Sequence, residues 1–279
     1  MQHLLIFGLG YTAARLAHGL RAQGWTIEAT GSAGTMRFDD GQAVEAALRR
    51  ATHILSSVPP GDDGDPVLER YGDALRAAPA GWIGYLSATG VYGDTGGAWV
   101  DEASPIGQGR RTARAAADLA WQALGRPVHI FRLPGIYGPG RSVLERIAEG
   151  RARRIDLPGQ VFSRIHVDDI ASGVIAGMAG PAGLYNLADD LPGPQNAVIA
   201  HGADLLGVAP PPLQTLEDAR LSPAAAAFYG ENRRIANGKA KRLLGWTPRY
   251  ADYRSGLAAC LTEARMEGDD HAAERQRDA

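Results

Sequence analysis

The stretch "IFGLGYTAARLA", residues 6–17, decides how the chain is read. The residues entering it, "HLLIF" (3–7), form an apolar run without alternation, as expected of a strand buried on both faces. The residues leaving it place Leu16, Ala17 and Leu20 at helical spacing between Tyr11 and Gln23, and Gly24 stops the run. Between strand and helix stands Gly8-x-Gly10-x-x-Ala13. Gly8 permits a tight turn, Gly10 lets backbone approach a pyrophosphate, and Ala13 is small enough for a helix to pack on its strand. The first helical residues, Tyr11 and Thr12, add free N–H groups at the positive end of the helix dipole. Strand, glycine turn and helix together predict a dinucleotide bound at the first crossover.

Further along, strands are expected at 25–30, 35–38, 52–58, 82–87 and 128–133. Helices are expected at 41–51, 66–78 and about 110–124. This alternation is the signature of an α/β fold: a Rossmann-type doubly wound parallel sheet with helices on both faces. After "PGIYGPGR" the rhythm loosens into short helical stretches at 142–149, 168–179, 194–206, 237–244 and 253–265. The expected organisation is a dinucleotide-binding domain over 1–165 and a smaller substrate-side lobe over 166–265, interleaved with it. The charged tail, 266–279, has no apolar face and is expected to fray.

With 45% hydrophobic and 22% charged residues the composition is that of a globular protein, and a net charge of −2 gives no reason to expect nucleic acid or an anionic membrane. The apolar run at the N-terminus breaks at Gly8 without a basic lead-in, so it reads as a strand and not a signal peptide. No stretch approaches the roughly 20 apolar residues of a membrane span. A cytoplasmic protein, monomeric or homodimeric, is the expectation. The lone cysteine, Cys260 in "GLAACL", reads as a small core residue.

The second strand would end in an acidic residue if the adenosine ribose kept both hydroxyls free. It ends instead in "EATGSAG": Glu28 comes too early, and Thr30, Gly31 and Ser32 leave room for a 2′-phosphate that Arg37 could approach. NADP is therefore expected over NAD. Asp39 is placed to accept from the adenine amine, with Asp40 as the alternative and turn capping as the competing role for either. Ser57 and Ser87, at the ends of two further strands, complete the expected lining of the cofactor cleft.

The segment "YLSATGVYGD" (85–94) resembles the fifth-strand motif of extended short-chain dehydrogenases/reductases, the NAD-dependent epimerase/dehydratase family. Further likenesses follow in the family's order: "VDEASP" (100–105), "FRLPGIYGPGR" (131–141), "RIHVDDIA" (164–171) and "YNLADD" (185–190). The closing stretches "ENRRIAN" and "LLGWTPRYADYRSGL" (243–257) are similar to its atypical bacterial members. The resemblance implies a catalytic set of Ser or Thr, Tyr and Lys, in which tyrosine exchanges a proton and lysine lowers its pKa and holds the nicotinamide ribose. Carried over position by position, the set is missing. The Ser/Thr position, four before Tyr92, is Ala88. With Asp118 matching the family's acid, the lysine position is Arg114 and the tyrosine position Arg110.

An arginine keeps the cation but cannot serve as proton donor at physiological pH. Arg114 is expected to hold the ribose, Arg110 to clamp an anion, and Thr89 to stand in for the missing hydroxyl if the strand end rotates. Tyr92 and Tyr137 read as loop-packing residues. His166, Asp168 and Asp169 read as a junction between lobes, and no metal site is expected. Arg132, Arg141, Arg233 and Arg234 lie on segments that line the substrate side in the family, so the expected partner is a small, anionic molecule such as a nucleotide-sugar phosphate. Two functions follow: an oxidoreductase or nucleotide-sugar epimerase-like enzyme with a non-standard site, or a catalytically inactive NAD(P)-binding sensor or scaffold.

Overall fold

The computed structural model describes residues 2–107, 109 and 112–277; of residues 224, 225 and 267–277 only the backbone is described. The first half of the chain runs β1 (His3–Phe7), α1 (Tyr11–Ala22), β2 (Thr26–Ala29), α2 (Gly41–Arg50), β3 (His53–Ser56), α3 (Pro66–Ala77) and β4 (Trp82–Ala88). A 3-10 turn (Thr89–Tyr92) leads to β5 (Trp99–Val100), α4 (Thr112–Gln122), β6 (His129–Leu133), β7 (Gly135–Tyr137) and α5 (Val143–Ala148). The remainder comprises β8 (Arg154–Ile155), β9 (Arg164–His166), α6 (Val167–Ala179), β10 (Gly183–Asn186) and α7 (Gln195–Leu205). It closes with β11 (Leu213–Gln214), α8 (Pro223–Phe228), β12 (Arg234–Ile235), α9 (Gly238–Leu244) and α10 (Tyr253–Arg277).

Six of the strands form one sheet in the order β10-β6-β4-β3-β1-β2, every pair parallel. The alternation of β1 explains why both faces are covered. Leu4 and Ile6 pack with Leu16 and Leu20 of α1 and Val174 of α6, while Leu5 and Phe7 pack with Val44 of α2, Leu75 of α3 and Trp121 of α4. A third core joins Tyr137, Val143 of α5, Val198 and Ile199 of α7, and Leu257 and Cys260 of α10. The chain thus has the α/β, Rossmann-type doubly wound architecture expected of its alternating elements.

The short strands β5, β7, β8, β9, β11 and β12 and helix α8 have no counterpart in the sequence reading, and three further differences bear on the main sheet and the last helix. Residues 35–38 form no strand: a single bridge joins Met36 to Thr30, because the Thr35 hydroxyl and amide fold back on Ala29. The sixth sheet strand is β10, whose short "GLYN" sequence carries no strand-like run. The last helix continues through Arg277 instead of ending near 265.

Candidate functional site

The order of strands reverses between β1 and β3, and in open α/β sheets such a switch point opens a crevice at the carboxyl ends of the strands. The register pairs Phe7 with Ser56, so Gly8 and Ser57 leave the sheet side by side. Gly8 has φ +84°, a conformation that favours glycine, and a Cβ there would stand 3.0 Å from Val58 Cγ2. Its amide donates to the Thr30 hydroxyl at 3.1 Å, and Leu9 N donates to Thr30 O at 3.0 Å. Thr30 therefore pins the glycine turn to the end of β2. Nothing in the sequence distinguished it from its neighbours.

Gly10 differs from Gly8 in kind. Its φ of −86° suits any residue, and a Cβ there would meet no protein atom within 4 Å. The protein's own packing does not require glycine at this position. What the missing side chain leaves clear is the space in front of α1, whose N-cap is Gly10 itself, without a side-chain cap or an acidic residue in its first turn. Ala13 is fully buried in the core and Thr12 is nearly so. The Tyr11 hydroxyl donates to Pro139 O at 3.0 Å, with the Arg141 guanidinium 5.5 Å from its ring centroid. Burial pushes that phenol up to about 12, so it stays protonated.

At the adenosine end, Ser32 is exposed in the turn after β2. Arg37 pairs with Asp39 at 2.8 Å, both largely in solvent, and Asp40 caps α2 by accepting from Ala43 N. Glu28 is taken by His3 at 2.7 Å and by Arg50. No carboxylate of β2 itself remains for a ribose.

At the end of β4 the hydroxyls and charges pair with one another. Ser87 donates to Asp118 at 2.6 Å, and Arg132 grips the same carboxylate through Nη2 at 2.8 Å and Nε at 3.1 Å. Arg132 Nη1 donates to the Tyr92 hydroxyl at 3.0 Å, which in turn donates to Asn186 Oδ1 at 2.7 Å. Asp118 and Asn186 are fully buried and Arg132 is 1% exposed. The expectation that Arg132 faces a substrate is thereby corrected: the strand carries it into the core, where an internal carboxylate neutralises it. Ser87, expected in the cofactor lining, spends its proton on Asp118. Arg234 is likewise held, on Gly97 O, and Arg233 on Gly93 O and Glu231.

The strand stops at Ala88, so the alternation that would turn Thr89 away no longer applies. Thr89 is buried in the 3-10 turn and borders a gap of about 50 Å³ closed by Pro134, Phe162, Ser163, Glu231 and Arg233. Arg114, half-buried one helical turn before Asp118, opposes with its charge the upward shift that burial imposes on Tyr85. Arg110 and Arg111 lie outside the described residues.

The gap shares Gly135, Phe162, Ser163 and Phe228 as walls with a cavity of about 480 Å³ built on β7, α5, β9 and the start of α7 and α10. Beside it, the His166 ring accepts from Asp168 N at 3.2 Å and meets Cys260 Sγ at 3.6 Å; burial holds its pKa well below the usual imidazole value. Asp168 and Glu263 both grip Arg15 of α1. Asp169 accepts from Arg249 N and Tyr250 N, and burial raises it to about 6. Among the described residues no group of His, Cys, Asp and Glu converges as metal ligands. No helix of the described residues is long and apolar enough to cross a membrane.

No protein-family model matches the chain. A conserved protein of unknown function from Silicibacter pomeroyi is 43% identical, the match covering 94% of this chain and 99% of that one with a TM-score of 0.85. The 3-diazoavenalumate denitrifying reductase of a Streptomyces species is 31% identical over 160 residues. That match spans about half the length of each protein, 52%. Two solved structures share the fold at lower identity. A human epimerase family protein with NADPH is 16% identical (TM-score 0.74, 92% of this chain and 98% of that one). A Thermus thermophilus UDP-glucose 4-epimerase with NAD is 18% identical (TM-score 0.74, 93% and 99%).

Proposed function

The chain belongs to the family of the conserved Silicibacter pomeroyi protein and has the Rossmann-type fold of NAD-dependent epimerase/dehydratase proteins; we propose that it is a nicotinamide-dinucleotide-dependent oxidoreductase or epimerase-like enzyme whose proton transfer does not use a Tyr–Lys pair. The observation that carries this is Gly10, a glycine with ordinary φ and open space where a Cβ would stand, at an uncapped helix N-terminus on the switch point. Gly8, Gly10 and the amides of Tyr11, Thr12 and Ala13 would hold the pyrophosphate, with Ser57 beside them. Ser32 and Asp39 would flank the adenosine, and the absence of a free β2 carboxylate supports NADP over NAD. Arg114 would hold the nicotinamide ribose. A bound nicotinamide supplies hydride transfer. Thr89, facing the gap between β4 and the cavity, is the hydroxyl left to orient a substrate, and Arg110 would contribute charge without a proton.

A second reading, a coenzyme-binding protein without turnover, draws on Ala88 and on the engagement of Ser87 and Tyr92 by the buried ion pair. NADPH fluorescence titration of the wild type and Gly10→Asp tests the coenzyme site. The wild type should saturate, whereas the variant should lose binding and keep its thermal unfolding midpoint, because its Cβ meets no protein atom. Equal titration by both would refute the assignment. Saturable binding without hydride transfer to any of a panel of carbonyl compounds would select the second reading.

A further inference from the structure

The cavity of about 480 Å³ is walled in a way the dinucleotide cleft does not need. Arg164 lines it and is 6% exposed, yet no carboxylate stands within ion-pair distance of its guanidinium among the described residues. Nη1 donates to Phe162 O at 2.9 Å and Gly193 O at 3.1 Å, and Nη2 donates to Gln195 Oε1 at 3.0 Å. Those partners orient the guanidinium without neutralising it, and they occupy three of its five N–H donors. Burial lowers its pKa and raises that of Asp189, the nearby carboxyl, which makes no ion pair with it. An oriented cation that lines a cavity with two N–H donors left over is a receptor for a carboxylate, which can accept charge-assisted hydrogen bonds from them.

The walls add the second half of the description. Phe162 and Phe228 stack with centroids 4.5 Å apart and planes 8° apart, and Tyr229 meets Phe162 edge-on at 5.7 Å. Phe228 is 44% exposed and lines the cavity, so part of its surface is open to whatever occupies it. Tyr253 lies under the Arg164 guanidinium at 5.8 Å. Arg141 reaches from the cavity to the ring of Tyr11 on α1, which places the cavity against the coenzyme helix.

We infer that this cavity binds a small aromatic monocarboxylate, its carboxylate on Arg164 and its ring against Phe162 and Phe228, as the substrate side of the proposed dinucleotide site. The inference rests on that reading for the word substrate, but the binding itself does not. Calorimetric titration with cinnamate, cinnamamide and UDP-glucose as probes tests it without coenzyme. Cinnamate should bind saturably and at least ten-fold more tightly than the neutral amide, and UDP-glucose should not displace it. Phe228→Ala should weaken cinnamate at least five-fold while the chain stays folded, since that ring is half exposed. Arg164→Met should abolish the preference for acid over amide; if that variant fails to fold, the wild-type comparison and Phe228→Ala decide. Equal affinity for acid and amide, no saturation by millimolar cinnamate, or displacement by UDP-glucose overturns the inference. Gly10→Asp should bind cinnamate as the wild type does, so failure of the coenzyme reading and failure of this one are separately visible.

Discussion

Asp118 is the residue on which the end of β4 depends. It is fully buried and accepts from Ser87, from Gln122 Nε2 at 2.7 Å, and from Arg132 twice. Removing its charge would strand the Arg132 guanidinium in the core, an uncompensated charge that costs about 3–5 kcal/mol. Asp118→Ala should therefore lower stability by about that amount in urea unfolding; a loss under 1 kcal/mol would show that water reaches Arg132. Ser32 tests the opposite regime, an exposed residue with no packing role. Ser32→Asp should leave stability unchanged and shift coenzyme preference toward NAD by roughly ten-fold, about 1.4 kcal/mol, because a carboxylate repels a 2′-phosphate and accepts from a free hydroxyl. A wild-type chain that already prefers NAD ten-fold would end the NADP argument.

Helix α4 carries the altered catalytic positions, and its register can be tested through Arg114. Residues 114 and 118 share one face, and Asp118 fixes that face toward the end of β4. Arg114→Ala should weaken NADPH binding by about ten-fold, about 1.4 kcal/mol, in the same fluorescence titration. Lost stability with unchanged affinity would assign Arg114 to packing alone. The elements were legible where periodicity was strong: β1, α1 and β4 fall within a residue or two of their sequence-derived limits. Residues 35–38 were misread because "TMRF" looks strand-like while Thr35 supplies an alternative bond to Ala29. β10 was missed because "GLYN" takes its strand identity from the edge of β6, not from its own side chains. The glycine turn was readable from local spacing. The Asp118–Arg132 pair was not, since a buried arginine and a surface arginine look alike until the partner 14 residues away is placed opposite.

On the scale of the molecule, several of the titratable groups that burial perturbs most, among them Asp189, Tyr137, His166 and Cys260, gather where the sheet meets the C-terminal helices. Asp189 is 2% exposed and retains its proton to about pH 8, chiefly through burial, whereas the unfolded chain has released it by about pH 5. A group protonated in the folded state alone makes stability fall as pH rises through that interval. From pH 6.5 upward the opposing group, His166, is neutral in the folded state and loses only its remaining unfolded-state proton, which offsets roughly 0.4 kcal/mol; most of its effect, a loss of stability on acidification, belongs below that pH. From pH 6.5 to 8 stability should thus decline by about 1 kcal/mol, measured by urea unfolding across the range. Asp189→Asn, which keeps the acceptor for Leu191 N, should flatten the decline. An equally steep decline in that variant would move the cause elsewhere.

The placement of β10 beside β6 also sets a clock. The strand that covers the edge of β6 is about 50 residues further along the chain, and α6, which covers Phe131 from the other side, is also made later. At about 5–20 residues per second, a ribosome leaves His129–Leu133 as an open, apolar edge for roughly 3–10 seconds. Through that interval the nascent chain carries a strand paired with β4 on one edge and open on the other, able to join a neighbour on the same message. Slower translation across residues 134–186 would lengthen that exposure, so a pause there should favour aggregation without altering the finished protein.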